Sequence, residues 1–147
     1  MSGILGIGHL ALRVRDLDRS LEFWRDRVGF QEMDRLRRDD GTTWLVYLRI
    51  TDSQFLELFP GATTEAVPPD DQNGVMHICL EIEDLDVEIA RLEQAGVKIV
   101  SPIKGGIDNN RGAWIHDPDG NRMELMEMHP NSIQYKAIRA LRAGSGK

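Results

Sequence analysis

One cysteine, Cys79, is all the sulfhydryl chemistry that 147 residues contain. A single thiol excludes an intrachain disulfide and fits a reducing compartment. No apolar run approaches the roughly 18 residues that a membrane span needs, and the N-terminus lacks the apolar core of a signal peptide. There is no basic surplus: 18 Lys and Arg stand against 24 Asp and Glu, a net charge of −6. That balance argues against nucleic acid or an anionic membrane as the main partner. These absences lead us to expect a soluble, cytoplasmic protein. What is present is a hydrophobic content of 41%, enough for one ordinary domain or for two very small units sharing a core.

The pattern that organises the chain is a repeat. His9-Leu-Ala-Leu-Arg-Val-Arg-Asp-Leu-Asp18 returns 68 residues later as His77-Ile-Cys-Leu-Glu-Ile-Glu-Asp-Leu-Asp86. Leu56-Glu57-Leu58 returns 67 residues later as Met123-Glu124-Leu125. Each copy therefore supplies one His near its start and one Glu near its end. Duplicated modules usually pair about a local two-fold axis, which lets two His and two Glu converge. Two imidazoles and two carboxylates suit a divalent metal of intermediate hardness.

Read in order, residues 7–15 alternate as a strand with His9, Ala11 and Arg13 on one face. Asp18 is the expected N-cap of a helix over 19–27, with a stripe of Leu21, Trp24 and Val28 and a stop at Gly29. Strands are expected over 30–37, 44–50 and 55–59, with a turn at Asp39-Asp40-Gly41. Residues 61–74, with Pro68 and Pro69, read as a linker. The order then recurs: a strand over 75–83 presents His77, Cys79 and Glu81 on one face. A helix follows, capped by Asp84 or Asp86, with a stripe of Leu85, Ile89 and Leu92 and a stop at Gly96. Strands over 97–100, 112–116 and 122–128 complete it. Lys104-Gly105-Gly106 and Asp108-Asn109-Asn110 read as a mobile loop, and Asp117-Pro118-Asp119-Gly120 as a tight turn. A third helix, capped by Asn131 or Ser132, has no counterpart in the first copy. Its expected inner stripe is Ile133, Ala137 and Leu141, and the tail 144–147 is expected to fray. The expected fold is α+β: two tandem βαβββ modules (4–60 and 75–129, joined by 61–74) form a curved mixed sheet, a cup, and a C-terminal helix and tail follow (130–147).

Glu57 and Glu124 lie inside apolar stretches, where a carboxylate is costly unless paired or metal-bound. Either glutamate alone would read as an edge-strand charge facing water, and either histidine alone as an ordinary core or surface residue. Matched His–Glu pairs at repeat positions favour a metal. His116 and His129 have no repeat partner and read as structural. Cys79 falls where the first copy has Ala11 and reads as a small buried hydrophobe. Arg13 shares the face of His9, as an anchor for a substrate carboxylate or phosphate, or as the ion-pair partner of Glu81. Lys104 reads as a clamp for an anionic substrate or as a solvated loop lysine.

Four stretches together resemble the vicinal oxygen chelate superfamily over residues 4–128. They are Gly8-His9-Leu-Ala-Leu-Arg13-Val-Arg-Asp16-Leu17, Phe55-Leu-Glu57-Leu58, His77-Ile-Cys-Leu80 and Asp117-Pro-Asp-Gly-Asn121-Arg-Met-Glu124-Leu125. This superfamily includes glyoxalase I, methylmalonyl-CoA epimerase, extradiol dioxygenases and bleomycin-resistance proteins. The resemblance implies one divalent metal per site (Zn, Ni, Co or Mn), with His9, Glu57, His77 and Glu124 as ligands. In ligand set the chain is most similar to bacterial glyoxalase I, which implies a metal-dependent lyase or isomerase moving a proton through an enediolate. The carrier would be Glu57 or Glu124, on a small anionic substrate with two adjacent oxygens, in a homodimer. Two alternatives follow from the same superfamily: an epimerase of a 2-substituted acyl-CoA or keto acid, and a metal-free module that sequesters a drug or metabolite. The C-terminal helix is additional to the glyoxalase I pattern.

Overall fold

The computed structural model describes residues 3–65, 67–69 and 71–144. The tail expected to fray falls outside these beyond Gly144, as do residues 66 and 70 of the expected linker. The architecture is α+β, with the βαβββ order twice. The first unit comprises Met1–Pro69 together with Asp117–Gly120, and the second Asp70–His116 and Asn121–Lys147. The Asp117–Gly120 turn joins the first unit because Asp119 accepts from the Arg15 backbone N–H at 3.1 Å and from its Nε at 2.8 Å.

In the first unit, β1 (His9–Val14), β2 (Gln31–Arg37), β3 (Thr43–Arg49) and β4 (Phe55–Pro60) form one sheet in the order β1-β4-β3-β2. The β1–β4 pair is parallel and the others antiparallel. Alternation along each strand sends one set of side chains to the core, and Val14, Val46, Leu48, Leu56 and Leu58 are at most 1% exposed. The opposite face carries His9, Ala11, Arg13, Phe55, Glu57 and Phe59.

The covering helix departs from expectation in two ways. Its cap is Asp16, not Asp18. Asp16 has the extended backbone a cap needs (φ −125°, ψ 109°), and its carboxylate accepts from the Arg19 N–H, so α1 (Leu17–Leu21) starts earlier. It then widens into a π-helical turn over Glu22–Arg27, with Val28 N–H bonding Phe23 C=O at 2.8 Å. Two adjacent aromatics in this turn, Phe23 and Trp24, are both buried in the core. Gly29, at φ 98°, ends the segment.

In the second unit, β5 (Ile78–Glu81), β6 (Ile99–Gly105), β7 (Arg111–His116) and β8 (Arg122–Glu127) repeat the topology as β5-β8-β7-β6, with β5–β8 parallel. Here α2 (Leu85–Gln94) is capped by Asp84, the repeat equivalent of Asp16, and its Leu85 and Leu92 are buried. The strand expected over 97–100 extends through Gly105, so Lys104 and Gly105 belong to a ladder with Gly112 and Arg111, not to a mobile loop. Residues 106–110 are tied as well. Asn110, only 3% exposed, donates to Asp108 Oδ2 at 2.7 Å, and its Oδ1 accepts from the His129 N–H at 2.9 Å.

The last helix, α3 (Ile133–Gly144), is capped by Ser132, whose Oγ accepts from the Tyr135 N–H. Its expected inner stripe is not inner. Ile133 is 55% and Leu141 71% exposed, Ala137 is exposed, and no residue of α3 is buried. Periodicity marked an apolar face correctly, but the polar anchors that hold α3 turn that face outward.

Candidate metal centre

Each unit places its histidine and glutamate on one sheet face, and the strand registers show that the two arrangements are equivalent. Along the parallel β1–β4 ladder Glu57 is opposite Ala11, two residues after His9. Along the parallel β5–β8 ladder Glu124 is opposite Cys79, two residues after His77. The neighbours Leu56, Leu58, Met123 and Leu125 are buried in the core, and alternation forces the two carboxylates to the opposite side.

The side chains meet within each unit. His9 Nδ1 is 3.8 Å from Glu57 Oε1, and His77 Nε2 is 3.5 Å from Glu124 Oε2. Two donors bound at about 2.0–2.2 Å to one ion lie roughly 3.0–3.5 Å apart, so both pairs are near the spacing a shared cation requires. The donor chemistry fits a divalent metal: imidazole and carboxylate, with the carboxylates only 13% and 23% exposed at the side chain. His77 Nδ1 is buried with no hydrogen-bond partner. Each pair is two donors, and among the described residues no group of three or more His, Cys, Asp or Glu gathers at one point.

The surroundings of Glu124 were not visible in the hydrophobic pattern. Trp114, opposite Glu124 on β7, packs edge-on against His77 with ring centroids 4.9 Å apart. Gly112 leaves room for the carboxylate, since a Cβ there would lie 3.2 Å from Glu124 Oε1. A cavity of about 160 Å³ in this unit is lined by Lys104, Asp108, Gly112, Trp114, Glu124 and Met126, among others. The Gly-x-Trp spacing on a strand was the available signal, since residues two apart share a face, but only the register shows that they flank Glu124.

Burial, followed by the charge and hydrogen-bond acceptance of Glu124, pushes the Cys79 thiol up to about 11. Cys79 therefore stays a neutral thiol at neutral pH, but it is exposed, not the small buried hydrophobe that the sequence suggested. Arg13 and Glu81 are each engaged within their own unit. Arg13 Nη1 donates to Pro60 C=O at 3.2 Å and its guanidinium lies 5.8 Å from the centre of the Phe59 ring, whereas Glu81 accepts from Tyr135 at 3.2 Å. His116 is exposed, and His129 Nδ1 accepts from the Asn131 N–H, a turn contact.

Gly112→Ala tests the packing around Glu124. The added methyl should displace the carboxylate by a few tenths of an ångström and weaken metal retention about tenfold, within the range for shifting a ligand's support. Stability should hold or rise slightly, because alanine restricts the unfolded chain. Metal content after dialysis and a melting curve measure the two effects separately.

These two modules, each with one His–Glu pair across a parallel strand pair, define a duplicated βαβββ protein with a metal-type donor set. Residues 6–125 match the Glyoxalase/Bleomycin resistance protein/Dioxygenase superfamily, and the chain belongs to it. Among its relatives it is similar to a lactoylglutathione lyase of Pseudomonas aeruginosa, 29% identical, covering 84% of this chain and 82% of that one. It is also similar to a lactoylglutathione lyase of Neisseria meningitidis, 30% identical, covering 87% and 96%. Among solved structures, a glyoxalase family protein from Enterococcus faecalis superposes with a TM-score of 0.73 at 24% identity, covering 84% of this chain and 98% of that one. Among the described residues no helix is long and apolar enough to cross a membrane.

Proposed function

We propose that this chain is a cytoplasmic metal-dependent lyase or isomerase of the glyoxalase I type, acting as a homodimer on a small anionic substrate with two adjacent oxygens. The observation that carries the reading is the equivalence of the two His–Glu pairs, which hold the same register position in each module. Relatives named lactoylglutathione lyase support it.

His9, Glu57, His77 and Glu124 would hold the metal, one pair from each module. When bound, a divalent metal supplies Lewis acidity toward the paired oxygens, lowering the pKa of the adjacent C–H. The chain's own groups then move the proton. A glutamate flanked on its own face by Phe55 and Phe59, or facing Trp114 across the strand pair, and 13% or 23% exposed at the side chain, is partly desolvated and suited to accept and return a proton. Glu57 or Glu124 is that group. Arg13 presents its guanidinium on the face that carries Glu57 and uses one donor on Pro60 C=O, leaving others for a carboxylate or phosphate. Lys104 lines the same cavity as Glu124 and serves as a second cation for the substrate.

The test is elemental analysis of the purified protein, then an assay with methylglyoxal and glutathione. About one divalent metal per chain and product formation are expected. Solvent deuterium entering a 2-substituted acyl thioester without net conversion would indicate an epimerase instead. Tight small-molecule binding by metal-free protein would indicate a sequestering module. Arg13→Ala should raise KM for the anionic substrate with kcat nearly unchanged, a loss of about 1.5–3 kcal/mol for one charge-assisted contact. An unaltered KM with a lower melting temperature would assign Arg13 to the Pro60 and Phe59 contacts alone.

A further inference from the structure

α3 is held differently from the other helices. None of its residues is buried, and Tyr135 alone is half-buried. A helix of 12 residues is marginal by itself in water, so its ties to the second unit set its position. Most of them cluster at its first turn. Ile133 N–H donates to Asp108 C=O at 3.0 Å, and Gln134 Nε2 donates to Asp108 Oδ2 at 3.0 Å. Asn110 Nδ2 donates to Gln134 Oε1 at 3.2 Å. A further tie reaches the sheet: Tyr135 O–H donates to Glu81 Oε1 at 3.2 Å.

Glu81 lies on the face that bears Glu124. Cys79 is opposite Glu124 in the parallel register, and Glu81, two residues on, is opposite Met126. Same-face residues on a strand lie roughly 7 Å apart, so Glu81 stands one such step from the level of Glu124. Asp108 and Asn110, which hold α3, line the cavity that Glu124 also lines. The helix thus brings a phenol to a carboxylate beside the candidate reacting centre. In the first module the equivalent position is Arg13, so nothing in the repeat itself calls for an acid here. An ionised carboxylate only accepts hydrogen bonds. Tyr135 engages one oxygen of Glu81 and limits its rotamers, and the other oxygen remains an acceptor in a fixed place. Pre-organising an acceptor in this way favours a ligand bearing a matching charged donor.

We propose that Tyr135 and Glu81 form a specificity site for the non-reacting end of the substrate, one that selects a tail carrying an ammonium group. The inference rests on the proposed reading of Glu124 as part of the reacting centre. It gives α3, absent from the first module, a role in choosing the substrate: the phenol orients Glu81, and Glu81 touches the ligand.

The experiment titrates S-methylglutathione and its N-acetylated form, which lacks the ammonium, into purified full-length protein by calorimetry. Wild type should bind the ammonium form tighter by about tenfold or more, the value of one charge-assisted contact. Glu81→Gln should erase the preference while leaving the acetylated probe's affinity unchanged. Tyr135→Phe should reduce the preference severalfold. Glu81 is exposed and Tyr135 half-buried, so melting temperatures should stay near wild type. Wild-type protein that binds neither probe, or both equally, overturns the proposal, as does equal weakening of both probes in Glu81→Gln. Metal content is measured on the same samples. An ammonium preference in protein that takes up no metal sinks the metal-lyase reading and leaves this recognition standing. Normal metal content with no preference sinks the recognition alone.

Discussion

Glu124→Ala should strip the protein of its metal and lower kcat/KM by two to three orders of magnitude. The variant removes one of the four proposed donors and leaves His77 without the carboxylate that stands 3.5 Å from its Nε2. Lewis-acid stabilisation of developing charge is worth several kcal/mol, which sets that scale. Folding should change little, because Glu124 lies on the face opposite the buried Met123 and Leu125. Glu127→Ala is the control. Glu127 Oε2 accepts from the Leu85 N–H at 2.9 Å, at the start of α2, so its loss should lower the melting temperature while metal content holds. Metal content in Glu124→Ala equal to wild type would remove Glu124 from the ligand set, and the proposed centre with it.

Restoring activity from two dead variants should be the other large effect. His9→Ala and His77→Ala each delete one proposed ligand, and each chain alone should be inactive. One His–Glu pair belongs to each module, so the proposed set of four is completed either within a chain or between the chains of a homodimer. Between chains, mixed dimers have one site lacking both histidines and one site with both intact. Unfolding the two variants together and refolding them should return about a quarter of wild-type activity, with random assortment and independent sites. That return is the outcome expected if the proposed homodimer completes its sites between chains. A refolded mixture shown to contain mixed dimers and still inactive would rule out sites completed between chains.

Much of this protein could be read from the chain because the relevant signals are local. Alternation of period two put His9 with Arg13 and His77 with Glu81 on common faces. Glycines at 29 and 96 ended two helices by accepting positive φ. The duplication made the His–Glu pairs stand out against single residues that carry no such signal. It even held the answer to the first helix cap, since Asp16 and the observed cap Asp84 are repeat equivalents. Other features depend on where distant strands and loops come to rest. That Gly112 and Trp114 flank Glu124 follows from the β7–β8 register, and periodicity does not specify register between strands. Lys104 belongs to β6 because Gly112 pairs with it, although its own Gly-rich surroundings read as loop. The stripe on α3 is real in sequence, yet Asp108, Asn110 and Glu81 grip the other side of the helix and leave the stripe exposed. The sequence by itself determined the order of strands and helices and which His and Glu share a sheet face, because side-chain pattern and backbone preference act over a few neighbours. Tertiary structure alone decided which groups surround the His and Glu side chains, because hydrogen bonds between different strands and between the helix and the sheet are chosen by how the strands register and where the helix docks.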